Sequence, residues 1–323
     1  MIKLNKLMIF MVATLISSVA TANQCSDLYD AKEYNNAFSV CTEAARNNGA
    51  DALSMYNLGL IYYRGREHYH SEINNENMHV ADKRKAVYWF QKSADIGYAP
   101  AQHNVAVMYA NGEDTPKDES KAVYWYSKAA EQGYANSQYN LGIMYLNGKG
   151  TAKDYNKASH WFYEAAKQGH INAQFNTALM YANANNESKA VYWYREAAEQ
   201  EDKDAQYNLG VMYASGDGVA KDVTKAVYWY KKAAEQGLAD AQYNLGVMYE
   251  RGNGVTKDAT KAVYWYTKAA EQGFVNAQYN LGVMYENGDG TTKNFSKARY
   301  WYNKAAAQGN DDAIKAANRL QLN

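Results

Sequence analysis

Residues 205–237 read AQYNLGVMYASGDGVAKDVTKAVYWYKKAAEQG, and residues 241–273 read AQYNLGVMYERGNGVTKDATKAVYWYTKAAEQG, a near-copy displaced by 36 positions. The tryptophans keep the same count, standing at 89, 125, 161, 193, 229, 265 and 301, with one step of 32 among steps of 36. A chain whose seven Trp all occupy one place in one unit is an array. Full units start near Ser54, Ala101, Ser137, Ala173, Ala205, Ala241 and Ala277, and Ala313 opens a truncated one.

Placing residues 100° apart sorts each unit into two helices. In the first, Ala241, Leu245, Met248 and Tyr249 form the stripe expected to be buried, with Gly246 at its edge as room for a neighbouring ring. In the second, Ala226, Trp229, Tyr230, Ala233 and Ala234 face inward, and Tyr228, Lys231, Lys232 and Glu235 face outward. Small residues opposite large rings let helices approach closely. Four positions before the first Ala of each second helix stands a capping residue: Asp82, Asp118, Asp154, Asn186, Asp222, Asp258 and Asn294. Gly97, Gly133, Gly169, Gly237, Gly273 and Gly309 follow the second helices as stop signals. The G-x-G turns lack the spaced carboxylates of a calcium loop, which argues against a metal there.

The A-x-x-x-L-G-x-x-Y, G-x-G-V-x-K-D and K-A-x-x-W-Y-x-K-A-A-E-Q-G segments together resemble the Sel-1-like repeat family, relatives of tetratricopeptide repeats, over about residues 54–312. The resemblance implies an all-α, right-handed superhelical solenoid of antiparallel helix pairs, usually a binding scaffold without chemistry of its own. Some cysteine-rich relatives bind or hydrolyse β-lactams; this chain lacks their cysteine pair in each repeat.

Lys3 and Lys6 precede an apolar run from Leu7 to Val19, and Ala20-Thr21-Ala22 supplies the small residues of a cleavage site, so residues 1–22 read as a secretory signal peptide. No stretch reaches the ~18 apolar residues of a membrane span, so no stable insertion is expected after cleavage, and a periplasmic or secreted location follows. In an oxidising compartment Cys25 and Cys41 are expected to pair, the alternative being two buried free thiols. Residues 23–53 read as a degenerate capping repeat, residues 54–312 as seven full repeats and residues 313–323 as a C-terminal capping helix.

Two units depart from the pattern. The first carries an enlarged loop from Arg64 to Ala81 with Glu67, His68, His70, Glu72, Glu76 and His79, which is either a solvated loop or a transition-metal site. The fourth is four residues short, has Asn183-Ala184-Asn185-Asn186 in place of G-x-G, and carries Glu201 where the stop glycine belongs, so its turn must be tighter.

The chain carries 34 Lys+Arg against 34 Asp+Glu, and its lysines alternate with glutamates, which argues against nucleic acid as a partner. No nucleophile elbow, P-loop or zinc quartet appears, and the acidic residues sit at caps and outward positions, so neither catalysis nor a cofactor is expected. What stands out is aromatic: 31 Tyr and 7 Trp against 7 Phe. After the buried stripes are assigned, two columns remain. On the first helices these are Tyr56, His103, Tyr139, Phe175, Tyr207, Tyr243 and Tyr279, flanked by Asn140, Asn208, Asn244, Asn280 and their equivalents. First helices of such solenoids line the concave side, so this strip is either a surface for a protein or peptide partner or a set of packing contacts between repeats. On the second helices, Tyr88, Tyr124, His160, Tyr192, Tyr228, Tyr264 and Tyr300 point outward, most with Lys four residues on, a spacing that lets the ring pack locally along the Lys stem. The expected product is a monomeric, non-enzymatic exported scaffold. Immunity against a secreted toxin or an adaptor role in envelope assembly are its two forms, and β-lactam chemistry is the enzymatic alternative.

Overall fold

The computed structural model describes residues 21–47, 51–64 and 82–320, and every regular element among them is a helix. Most of the export segment and the enlarged loop with His68, His70 and His79 lie outside the described residues. The chain forms two compact units, Met1–Gln168 and Gly169–Asn323. In the first, α1 (residues 21–30) and α2 (Tyr34–Asn47) precede the pairs α3/α4 (Ala52–Arg64, Lys83–Asp95), α5/α6 (Ala99–Asn111, Glu119–Glu131) and α7/α8 (Ala135–Asn147, Tyr155–Lys167). The second contains α9/α10 (Ile171–Asn183, Glu187–Glu199), α11/α12 (Lys203–Ser215, Val223–Glu235), α13/α14 (Ala239–Arg251, Ala259–Glu271) and α15/α16 (Val275–Asn287, Phe295–Ala306), closed by α17 (Asp311–Arg319). Within each unit, successive helices pack side by side.

The caps form where the spacing puts them. Each of the seven Asp or Asn side chains accepts the backbone N–H three residues on, at 2.9–3.3 Å. The short fourth repeat keeps the bond that closes its turn: Asn186 N–H donates to Tyr181 O at 2.9 Å, as Asp222 does to Tyr213 and Asp258 to Tyr249. Its four missing residues therefore come wholly from the bulge, and both of its helices keep 13 residues. Glu201 takes φ 68° at the place of the stop glycine.

The buried stripes match the helical reading at Ala241, Leu245, Ala226, Tyr230, Ala233 and Ala234, whereas Met248, Tyr249 and Trp229 are only partly buried. The tryptophans sit at the seam between repeats: Trp125 packs on the cluster of Phe90 and Val105, and Trp265 on that of Ala241 and Leu245. Gly246 does make room for a ring, since a Cβ there would lie 2.6 Å from Tyr266. Two repeats carry Ala at this place, Ala106 and Ala178. In them the second-helix ring lies at 56° and 61° to its first-helix partner, against 37–49° in the glycine repeats. The extra methyl is accommodated by tilting the ring.

One polar residue of the first helix belongs to the core. Gln102, Gln138, Gln174, Gln206, Gln242 and Gln278 are buried beside the inward alanines. Gln242 Nε2 donates to Ala234 O of the preceding second helix at 3.1 Å, while its Oε1 accepts from Gln272 at the end of its own second helix at 2.8 Å. The acceptor half recurs in all six of these repeats at 2.7–2.9 Å. Both ends of a buried amide are thereby satisfied, as burial requires. In the first repeat Met55 and Ile96 occupy these two places, so donor and acceptor disappear together.

The second glycine of each G-x-G turn has its own reason. Gly254 takes φ +68°, and a Cβ on it would stand 2.6 Å from Val223 O at the start of the preceding repeat's second helix. Gly218 lies in the same way against Glu187, and Gly290 against Ala259. The turn therefore clasps the neighbouring repeat by backbone approach, a role distinct from ion binding.

Cys25 and Cys41 are bonded, 16 residues apart, and lie in one apolar cluster with Met55, Leu58 and Ile61. A loop of that size contributes roughly 3 kcal/mol in the chain-entropy account, joining α1 to α2 at the first repeat.

Candidate partner-binding face

Each unit presents its first-helix aromatic column as half-buried rings. In the first unit Tyr56 packs against Phe90, His103 against Tyr126 and Tyr139 against Phe162, with centroids 5.6–5.8 Å apart. In the second, Phe175, Tyr207, Tyr243 and Tyr279 meet Tyr194, Tyr230, Tyr266 and Tyr302 at 5.7–5.8 Å. A second ring from the start of the next repeat flanks several of them, as Tyr98 does Tyr56 and Phe274 does Tyr243, at 5.0–5.2 Å. The column thus packs on the second helix of its own repeat, and in several repeats on a ring of the next, while keeping part of each ring at the surface. Such rings are held in place before any partner arrives, which lowers the ordering cost of binding.

The asparagines serve the same rings. Asn140 Nδ2 donates to the Tyr126 hydroxyl at 3.2 Å, while the amides of Asn244, beside Tyr207 and Tyr230, and of Asn280, beside Tyr266, act against the upward shift of those phenols. Asn208 differs, donating to Asp204 O of its own helix at 2.8 Å. Burial raises the Tyr126, Tyr194 and Tyr230 phenols to about 12, so these rings stay neutral hydrogen-bonding groups at any physiological pH. In the last two repeats the phenols of Tyr266 and Tyr302 donate to Glu250 and Glu286 at 2.6 and 2.7 Å, and burial followed by these carboxylates raises both further. The two glutamates, expected to be plain outward positions, are working acceptors. Glu286 also holds Arg319 of α17 at 2.6 Å.

His103 is the column's one imidazole. Its Nδ1 lies 2.9 Å from Ser137 Oγ, its ring sits between Tyr126 and Tyr134, and burial lowers it from 6.5 to about 4. Because the folded value is depressed, the stability it supports is complete above pH ~6.5 and is lost as pH falls toward 4. We expect His103→Tyr with Ser137→Ala, the pairing found at 207 and 241, to remove about 1–2 kcal/mol of that acid sensitivity. Urea titrations of both proteins at pH 7 and pH 4.5 check this; an unchanged difference between the two pH values would refute it.

On the second helices the outward tyrosines stand edge-on to the adjacent tryptophan at 4.9–5.1 Å. Lys92, Lys128, Lys232, Lys268 and Lys304 lie over the Tyr rings four residues before them at 5.3–5.9 Å. Those ring faces are occupied within their own helices. A further lysine in each repeat, Lys225 over Tyr213 or Lys261 over Tyr249, crosses from second helix to first and was not anticipated. Its signal is the fixed K-A before each Trp.

Among the described residues no three His, Cys, Asp or Glu side chains gather as metal ligands, and no helix is long and apolar enough to cross a membrane. The Sel1 repeat profile matches residues 52–98, 99–134, 135–170, 171–202, 203–238, 239–274 and 275–310. The chain is 32% identical, with a TM-score of 0.84, to the crystal structure of a protective antigen of uropathogenic Escherichia coli displaying an SLR fold; the alignment covers 94% of this chain and 64% of that one. A Sel1 repeat protein from Oxalobacter formigenes is 30% identical with a TM-score of 0.64, covering 96% and 90%. The chain thus spans less than two thirds of the length of the antigen it resembles. No curated protein matches it in sequence.

Proposed function

Since the chain belongs to the Sel1 repeat family, with seven repeats across residues 52–310, we propose that it is an exported, non-enzymatic scaffold that binds a protein or peptide along the face lined by its first helices. The observation that carries this is the first-helix column: in each unit, partly exposed rings recur once per repeat and are fixed from behind by core rings. Tyr and its amide neighbours give large contact area with little entropy left to lose. The bonded Cys25 and Cys41, and the signal-like start at Lys3 to Ala22, support a periplasmic or secreted location.

The rings themselves cannot be deleted cleanly, because Tyr207 and Tyr243 also pack on Tyr230 and Tyr266. Asn208→Lys with Val211→Lys leaves them in place and sets two long charged side chains beside the Tyr207 ring. A capture experiment from cell-envelope and secreted fractions should recover a protein partner with the native chain, and the double variant should bind it at least tenfold more weakly with an unchanged melting curve. Equal recovery by both proteins would rule out this face. The captured protein also separates the two forms of the reading, a secreted toxin indicating immunity and an assembly component indicating an adaptor.

A further inference from the structure

We propose that a cleft between α3 and α5 receives one apolar side chain of a linear peptide segment that carries an acidic and a basic neighbour; this rests on the partner-binding reading of the first-helix face and narrows it to a site. The cleft has a volume of about 330 Å³, with Leu60, Phe90, Val107 and Met108 among its apolar lining and Tyr56 and Asn104 among its polar one.

Two features set it apart from the last two repeats. In the last two repeats the corresponding phenols, Tyr266 and Tyr302, reach Glu250 and Glu286. Here the second-helix ring is Phe90, which has no hydroxyl, and Tyr63 stands at the position of Glu250. The Tyr63 hydroxyl donates instead to Glu113 of the following turn at 3.2 Å, with its ring centroid 6.5 Å from that of Phe90. No phenol–carboxylate pair occupies the corresponding place.

The charges at the cleft name the occupant. Arg64 lies 5.5 Å from the Tyr29 ring centroid and 3.4 Å from the Tyr34 hydroxyl, and no carboxylate among the described residues pairs with it. Glu113 accepts from Tyr63 and Asn111 and has no cation partner among the described residues. One cation and one anion, neither in an ion pair among the described residues, beside an apolar recess fit a segment bearing one charge of each sign around an apolar residue. The volume of about 330 Å³ stands at the low end for small-molecule sites and is ample for one apolar side chain. The Asn104 amide in the lining offers both a donor and an acceptor to a peptide backbone.

The test uses the full mature chain with labelled methionine methyls, read at Met108. Blocked peptides Asp-Gly-Phe-Gly-Lys and Lys-Gly-Phe-Gly-Asp are titrated, each against a version with Ala for Phe. At least one order should shift the Met108 methyl saturably, and the Ala version should not. Arg64→Glu should weaken that peptide at least fivefold, and Arg64→Glu with Glu113→Lys should transfer the preference to the other order. Val107→Trp, which fills the recess, should abolish the shift. The proposal falls if no peptide moves Met108 at millimolar concentration, or if charge reversal leaves affinity unchanged. It also falls if binding appears only after residues 65–81 are replaced by a short turn, because the chain's own segment then occupies the recess. A captured partner whose affinity ignores Arg64→Glu and Val107→Trp but responds to Asn208→Lys with Val211→Lys would sink this site and leave the broader reading standing. Peptide binding with no captured partner would do the reverse.

Discussion

Gly254→Ala is expected to cost about 3–4 kcal/mol, while Gly237→Ala, also at a positive φ, should cost only about 1. Both residues sit in the left-handed region, at +68° and +89°, so the conformational penalty of an alanine is shared. They differ in what a methyl would meet. Around Gly237 nothing lies within 4 Å, and Glu201 shows that a side chain can stand at the equivalent place. Around Gly254 the methyl would strike the carbonyl carbon and oxygen of Val223 at 2.7 and 2.6 Å, and backbone at a helix start cannot swing away as a flexible side chain would. Unfolding of a repeat array can be local, so the measurement should be residue-resolved. Hydrogen exchange at the start of α12 should accelerate sharply in Gly254→Ala and hardly at all in Gly237→Ala. Similar losses in both would show that the turn does not grip its neighbour.

Gln242→Glu should be the second most damaging change, costing about 3 kcal/mol at pH 7, and should recover in acid. The ionised carboxylate can still accept from Gln272, but its other oxygen would face Ala234 O, where the amide now donates at 3.1 Å. Two acceptors face to face raise the carboxyl above its usual 4.3, since only the protonated acid can donate to the carbonyl. The folded value then exceeds the unfolded one, so stability is full below pH ~4 and is lost as pH rises through the shifted value. Gln242→Met with Gln272→Ile reproduces the pair at 55 and 96 and should cost under about 1.5 kcal/mol, because no polar partner is left buried alone. Chemical denaturation of the three proteins from pH 4 to pH 8 tests both statements. A Glu variant equally unstable at every pH would overturn the assignment of the amide's two ends.

Both predictions concern features that were hard to read from the chain. Alanine stripes, caps and the ring-facing glycine were legible because each depends on helical periodicity within one unit, as Ala241, Asp222 and Gly246 show. The buried place of Gln242 is harder to read, because a polar side chain beside an apolar stripe gives no periodic signal of burial. Its signal was present: a glutamine directly after the first inward small residue in six units, absent together with its partner where Met55 and Ile96 stand. The second glycine of G-x-G could be seen as a turn residue but not as a contact, since what it touches is 31 residues earlier, at Val223. The candidate site was half legible. The ring column was visible, but a single helix viewed end-on cannot show that Tyr207 leans on Tyr230. The recess beside Phe90 was not visible at all, because its lining comes from α3, the ring of Phe90, α5 and the turn at Glu113 and not from any one motif.

The glutamine relay also bears on how such a chain can change length in evolution. Five repeats each bring one amide, Gln102, Gln138, Gln206, Gln242 or Gln278, whose donor end serves the repeat behind it and whose acceptor end is filled from within. A repeat can therefore be duplicated or lost whole without orphaning a polar group on either side, and residues 205–237 and 241–273 are alike enough for recombination to do so. Cuts inside a helix would break that bookkeeping, whereas the bulge of the turn lies outside it, which is where the fourth repeat lost its four residues. Repeat number becomes an inheritable variable that sets the length of the partner-facing surface independently of its chemistry.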